Sequence, residues 1–115
     1  MISISVSSSF ALFSRYDLVA MCGGFDAANS QLYVVSEQKQ EGQNRLWLEA
    51  PAAHRIELII YVVPKSLPAG RHEAIVDHPP FEIEIAVLDG TKQIYSAEHD
   101  VNAWGGAAIN LNLEL

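Results

Sequence analysis

One stretch of the chain, Arg55–Val63, limits the possible folds more than any other because it is apolar on two sides. Successive residues of a strand point to opposite faces. One face of this stretch would carry Ile56, Leu58, Ile60 and Val62. The other would carry Glu57, Ile59, Tyr61 and Val63. A strand that is apolar on both faces is predicted to be covered on both and to lie inside a sheet, and Pro64 is predicted to end it.

Shorter apolar patterns elsewhere predict further strands. Tyr16–Cys22 is apolar on both faces and is predicted to be a second interior strand, while Ile2–Ser7 alternates apolar and polar residues. A polar linker containing Gly42 separates Gln31–Ser36 from Asn44–Glu49, which predicts a hairpin. The remaining strands are predicted at Arg71–Val76, Phe81–Asp89, Thr91–Ser96 and Ala107–Leu115, with a turn at Asp89-Gly90 and another at Phe25–Ser30. The sequence therefore predicts an all-β protein, a single-domain antiparallel β-sandwich of about eight strands over residues 1–115.

Composition supports a hydrophobic core that needs neither a metal nor a disulfide. Half of the 115 residues are hydrophobic, and the single cysteine, Cys22, lies in an apolar run where a buried, inert thiol is expected. The first residues have no basic segment followed by an apolar core, which argues against a signal peptide. No apolar run approaches the ~20 residues of a membrane-spanning helix. We therefore expect a cytoplasmic protein with no membrane partner.

The net charge of −7 is concentrated in the last third of the chain. Residues 1–72 hold six acidic and six basic residues, whereas residues 73–115 hold eight acidic residues and one base, Lys92. The scattered bases make a nucleic-acid groove an unlikely partner site. An acidic surface suits a cation or a basic protein, or serves solubility alone.

Four aspartates are candidate calcium ligands because they fall at predicted strand ends and loops. They are Asp17, Asp26, Asp89 and Asp100. Calcium binds six to eight oxygen atoms, so these carboxylates would have to converge on one loop end. The alternative is that each is an ordinary turn aspartate that bonds its own backbone.

A second constellation resembles the first metal-binding motif of the cupins, with Gly70, His78, Glu82 and Gly90 in the expected order. Val76 occupies the position of the first histidine, and no second motif follows Gly90. A catalytic metal usually has three protein ligands. The alternative is that His78 lies in a Pro-Pro turn and that Glu82 points outward from a strand.

Two tryptophans and the last strand are candidate interaction elements. Trp104, beside two glycines, is predicted to stack on a sugar or anchor a protein partner, or else to close the end of the sandwich. Trp47 points away from Leu46 and Leu48 and is predicted to be partly exposed. If Ala107–Leu115 is an edge strand, its few charges favour self-association with another copy.

The order of these elements resembles the tellurium-resistance TerD-type β-sandwich family. The likeness rests on Tyr16–Ala20, Leu48–Ile56, Phe81–Tyr95 and Ala107–Leu115. The resemblance implies a sandwich fold, a stress-related role, calcium binding with Asp17 as a ligand, and no catalysis. The second aspartate of the family motif is replaced by Val19, and the Gly/Asp-rich segment of the family is missing between Ser36 and Leu46.

These observations together favour a non-enzymatic binding or interaction module with a weak calcium site. One alternative is a cupin-like metal-dependent enzyme that uses His78 and Glu82. Another is a carbohydrate- or protein-binding sandwich that uses Trp104.

Overall fold

The computed structural model describes residues 1–10, 13–64, 80–102 and 105–115. These residues form eight strands and one short 3-10 turn, Phe13–Arg15. The strands are β1 (Ile2–Ser7), β2 (Tyr16–Phe25), β3 (Gln31–Gln38), β4 (Arg45–Ala50), β5 (Arg55–Pro64), β6 (Phe81–Asp89), β7 (Lys92–Val101) and β8 (Ala107–Glu114). The predicted short strand at Arg71–Val76 lies outside the described residues.

The strands form two antiparallel sheets that pack face to face. Sheet A has the order β4-β1-β6-β7, and sheet B has the order β3-β2-β5-β8. The predicted antiparallel sandwich of about eight strands is confirmed. β5 lies inside sheet B between β2 and β8, and Pro64 is its last described residue. No helix of the described residues is long and apolar enough to cross a membrane.

The core lies between the sheets because each inner strand turns alternate aliphatic residues inward. The fully buried side chains include Ile2, Ile4 and Val6 of β1, Leu18 of β2, Ile56, Leu58 and Ile60 of β5, and Ile83, Ile85 and Val87 of β6. Burial of one such side chain contributes about 1.5–3 kcal/mol relative to exposure. The two central strands of each sheet therefore account for most of the core.

Four aromatic rings close one end of the sandwich. Phe10 and Phe81 stack with ring centroids 4.4 Å apart, and Tyr16 meets Phe81 edge-on at 5.0 Å. Phe13 lies 5.9 Å from Phe81, and the Lys39 ammonium sits 5.7 Å from the Phe13 ring. Offset and edge-on pairs of this kind are favourable beyond the area they bury.

The predicted hairpin between the third and fourth strands is wrong. β3 is an edge of sheet B and pairs with β2, whereas β4 is an edge of sheet A and pairs with β1. The polar linker therefore crosses between sheets. The reason is that β4 buries Leu46, Leu48 and Ala50 against the core as a strand of the opposite layer.

The turns agree with their sequence signals. At Asp89-Gly90 the glycine has φ 63°, in the region that favours glycine, and β6 returns directly through β7. Between β2 and β3, the Asp26 Oδ1 accepts hydrogen bonds from the backbone N–H groups of Ala28 and Ser30 at 3.0 and 2.9 Å. Both turns place their strands in antiparallel register.

Candidate binding surface on the outer face of sheet B

The prediction that β5 is covered on both faces is wrong for the part of the chain that the structure describes, which covers only the inner face. The inward residues of β5 are buried, but Tyr61 and Val63 on the outer face are 42% and 50% exposed. The described residues build only two layers, and nothing among them lies over the outer face of sheet B. The apolar residues on the second side of β5 therefore face outward.

The neighbouring strands extend this exposed apolar surface. On β2, Val19 lies opposite Tyr61 and Met21 lies opposite Ile59. On β3, Val34 lies opposite Gly23. Directly opposed residues of an antiparallel pair point to the same face. We call the six residues Val19, Met21, Val34, Ile59, Tyr61 and Val63 the apolar face.

Two shallow depressions flank Ile59 on this surface. One, of about 180 Å³, is lined by Met21, Gly23, Val34 and Ile59 among others. Its floor is low at Gly23 because glycine has no side chain. The other, of about 260 Å³, lies towards β8 beside Asn110 and Asn112. Each has room for a side chain that projects from a second molecule.

Arg55 fixes one end of the apolar face. Its Nη1 donates to Glu57 Oε1 at 2.9 Å and to Asn112 Oδ1 at 3.0 Å, and its Nη2 donates to Asn29 Oδ1. Its guanidinium also lies 4.2 Å from the centre of the Phe25 ring. Arg55 thus joins β5 to β8 and to the β2–β3 turn, which a lysine could not do with the same planar fork.

The four predicted calcium ligands are not brought together. Asp17 and Asp26 lie at opposite ends of β2, about 30 Å apart along an extended strand. Asp89 lies at the end of β6 beside Ile2, whereas Asp100 pairs with Glu82 at the start of the same strand. Among the described residues, no group of three or more His, Cys, Asp or Glu side chains is arranged to hold a metal ion.

Glu82, the carboxylate of the cupin-like hypothesis, points outward from sheet A beside other acids. Asp100 lies opposite Glu82, and Glu98 lies opposite Glu84. A hydrogen bond shared with Glu98, together with the negative charges of Glu98 and Asp100, raises the pKa of Glu82. Its proposed companion His78 lies outside the described residues.

Of the two candidate tryptophans, the structure describes Trp47. Its ring is 44% exposed on the outer face of sheet A, as predicted. Its Nε1 donates to Glu49 Oε1 at 3.2 Å, and the Arg45 guanidinium lies 5.3 Å from the ring centroid. Trp47 is therefore on the opposite side of the sandwich from the apolar face. Trp104 lies outside the described residues.

Cys22 is buried in the core, one residue from the exposed Met21. Burial raises the pKa of its thiol to about 11, so the thiolate needed for nucleophilic attack is scarce at neutral pH. Tyr33, which donates from its hydroxyl to the Pro51 carbonyl at 2.6 Å, has a pKa raised by burial to about 12. The side chains of Cys22 and Tyr33 therefore contribute to the packing of the protein.

Sequence reasoning missed the apolar face, although the signal for it was present. β2 and β5 are both apolar on two sides, a pattern that by itself predicts burial on two sides. A chain with strands for only two layers can cover one face of each sheet. Two adjacent strands of this type in such a chain predict an exposed apolar surface.

Comparison with known proteins adds a fold relative. No protein-family model and no curated protein matches the chain. Among solved structures, it is similar to a crystal structure of a DUF4425 family protein from Bacteroides ovatus ATCC 8483, with a TM-score of 0.53 and 14% identity. The match covers 99% of this chain and 92% of that one. At this identity the likeness shows the sandwich fold alone.

Proposed function

We propose that this protein is a non-catalytic interaction module that binds a protein partner through the apolar face of sheet B. The observation that carries the proposal is that two apolar pairs, Met21 opposite Ile59 and Val19 opposite Tyr61, lie on a face that no described residue covers. Monomeric soluble proteins rarely expose a contiguous apolar patch larger than a few hundred Å², and larger patches mark interaction sites. The proposal locates binding on the outer face of the two central strands.

The size of this face suits a protein partner. A ten-residue strand is about 33 Å long and four strands span about 19 Å, so the whole outer face of sheet B covers at most roughly 600 Å² before side-chain relief is counted, and the apolar face is a part of it. A standard protein–protein interface buries about 800 Å² on each partner. The two shallow depressions provide places for anchoring side chains, which carry much of the binding energy in such interfaces.

Charge favours a partner with an apolar centre and a basic rim. The chain has a net charge of −7, and the apolar face is bordered by Asp17 at one end, whereas at the other end Glu57 is ion-paired with Arg55. Complementary potentials raise association rates and disfavour acidic competitors. A partner surface with aliphatic residues framed by lysine or arginine fits these properties.

The calcium hypothesis and the stress-related role receive less support than protein binding. The aspartates proposed as ligands are distributed over both ends of both sheets. The stress-related role rests on the TerD-type resemblance alone.

The proposal is tested with two basic peptides of equal length and charge, one alternating leucine with lysine and one alternating serine with lysine. We expect the Leu/Lys peptide to bind more tightly by roughly tenfold or more, because burying one additional aliphatic side chain is worth about 1.4 kcal/mol or more. The measurement is isothermal titration calorimetry of each peptide against the full chain.

A double variant, Met21→Thr with Ile59→Thr, removes apolar surface, leaves the charge unchanged and places a β-branched strand former at both positions. It should abolish the preference for the Leu/Lys peptide. Trp47→Thr, on the opposite sheet, is the matched control and should leave the preference unchanged. Equal affinity of the wild-type chain for both peptides would show that only charge attracts them, and the proposal would fail.

A further inference from the structure

Within the described residues β8 is a free edge of sheet B, and this edge is regular and nearly uncharged. β8 pairs with β5 over the eight positions from Ala107 to Glu114 without a register shift. Its only charged residue is Glu114, at the last position. A long regular edge presents unpaired N–H and C=O groups in a row and is a template for another strand.

The other three edges each carry a feature that discourages pairing. β3 contains an extra residue, Leu32, where Gly24 pairs with Tyr33 but Phe25 pairs with Gln31. β7 contains an extra residue at position 94 and is charged near its end, and β4 has only six residues, two of them charged. Bulges, charges and short length are the common means of protecting an edge. Among the described strands, β8 alone has none of these protections along most of its length.

The inward side chains of β8 are also incompletely covered. Ile109, Leu111 and Leu113 pack against the core but are only half-buried, whereas Ile56 and Leu58 on the adjacent β5 are fully buried. The difference arises because, among the described strands, β8 has a neighbour on one side only. A strand added beside β8 would cover this row of aliphatic side chains.

One hydrogen bond of β8 shows which of its backbone groups point away from β5 and are available for pairing. The Leu115 N–H donates to the His54 carbonyl at 3.0 Å, on the β5 side. Backbone groups of successive strand residues point to alternate sides, so the odd-numbered residues of β8 face β5. The N–H and C=O groups of Ala108, Asn110, Asn112 and Glu114 therefore point towards the free edge.

We propose that two copies of this chain associate by antiparallel pairing of their β8 edges, which joins two copies of sheet B into one eight-stranded sheet. Every antiparallel register that sets odd-numbered residues opposite odd-numbered ones keeps the aliphatic residues on the inner face, and the two with the longest overlap centre the two-fold axis on Asn110 or Leu111. In either register Ile109 lies opposite an aliphatic residue of the second copy, Leu111 or Leu113. Glu114 lies at the end of the paired segment, far from the Glu114 of the other copy, so no like charges meet.

This self-pairing uses a different surface from the apolar face and does not depend on the proposed function. The acidic rows that contain Glu82 and Glu98 lie on sheet A, away from the joined edge of sheet B. Their repulsion therefore acts over a longer distance and is screened by salt. A β8 strand of eight residues is about 27 Å long. Pairing along one strand edge of this length buries less area than a standard interface, so we expect a weak, concentration-dependent dimer.

The test compares Ala108→Pro with Ala108→Val in the full chain. Proline removes the N–H that points to the free edge, while valine keeps it and has a similar volume; proline is tolerated where the N–H faces solvent. Sedimentation velocity should show a dimer for the wild-type chain and for Ala108→Val. The dimer dissociation constant of Ala108→Pro should be larger by roughly tenfold or more, because two hydrogen bonds are lost per dimer.

Hydrogen exchange of the wild-type chain gives a second readout that needs no variant. The amide protons of Ala108, Asn110, Asn112 and Glu114 should exchange more slowly as protein concentration rises, while those of Ile109 and Leu111 should be protected at all concentrations. A wild-type chain that stays monomeric at roughly 1 mM would overturn the proposal. A dimer in which these four amides remain unprotected would also overturn it.

Discussion

The two outer faces of the sandwich differ sharply, although both lie on the surface. The outer face of sheet A carries serines on β1 and carboxylates on β6 and β7, whereas the centre of sheet B carries Val19, Met21, Ile59 and Tyr61. Sheet A therefore shows the usual alternation of apolar inside and polar outside. The contrast teaches that the apolar surface of sheet B is not a requirement of the fold, because the same chain builds a polar outer face on the other sheet.

The two faces of β5 give the strongest test of this comparison. Leu58→Ala leaves a cavity in the core and should lower the free energy of unfolding by about 2–5 kcal/mol. Ile59→Ala on the outer face should lower it by less than about 1 kcal/mol. Urea unfolding of the two variants measures the difference. Equal losses would mean that another part of the protein covers the outer face.

The hydrogen bonds of Arg55, at one end of the apolar face, should contribute a smaller amount to the free energy of unfolding. Arg55→Lys keeps the positive charge but loses the fork that binds Glu57, Asn112 and Asn29, and should destabilise the protein by about 1 kcal/mol. Urea unfolding of Arg55→Lys beside Lys92→Arg, a charge-conserving change on sheet A, measures this effect. A loss no greater than that of the control would show that the network adds nothing to stability.

Chemical reactivity should distinguish the two sides of β2 with little change in stability. Met21 is 37% exposed and Cys22 is fully buried, although they are adjacent in sequence. Dilute hydrogen peroxide should convert Met21 to the sulfoxide while the Cys22 thiol stays intact, and the free energy of unfolding should change by less than about 0.5 kcal/mol. Peptide mass spectrometry gives the extent of oxidation, with Met1, which is 65% exposed, as the internal reference. Rapid oxidation of Cys22 in the folded protein would contradict this assignment of faces.

The smallest effect on stability is expected on the outer face of sheet A, where Glu82 lies near Glu98 and Asp100; we call this the acidic face. The raised pKa of Glu82 means that the folded protein binds a proton there more tightly than the unfolded chain does. The resulting stabilisation is present at low pH and is lost as the pH rises through the raised pKa. Glu82→Gln should therefore increase stability at pH 7, with a gain that shrinks as the pH falls. Thermal unfolding as a function of pH measures this gain.

Glu37→Gln is the control for the acidic face, because Glu37 lies opposite Ala20 rather than another acid. This substitution removes a carboxylate without removing a repulsive neighbour on the facing strand. A gain for Glu82→Gln that is the same at pH 4 and pH 7 would contradict the repulsion between Glu82, Glu98 and Asp100.

The sequence predicted the class of fold because period-2 patterns determine which residues of each strand face inward. Ile83, Ile85 and Val87 on β6 could be assigned to the core in this way, and all three are fully buried. The partner of β4 could not be assigned, because hairpin and sheet-crossing connections share the same polar linkers. Sequence position near strand ends also could not show that Asp17 and Asp26 lie at opposite ends of β2.

The apolar face was the harder prediction, because an apolar residue in a strand reports burial only where another layer exists to cover it. Tyr61 and Leu58 are both apolar residues of one strand, yet one is exposed and the other buried. The number of layers is a property of the whole chain. It has to be combined with the local pattern before exposure can be predicted.

The most direct test of the central claim is a methyl NMR titration of the full chain with the Leu/Lys peptide. We predict shifts in the methyl signals of Val19, Met21 and Ile59 and little change in those of the inward Ile60 and Leu58. Shifts confined to sheet A, or none at peptide concentrations of roughly 1 mM, would contradict the claim that the outer face of sheet B is the binding surface.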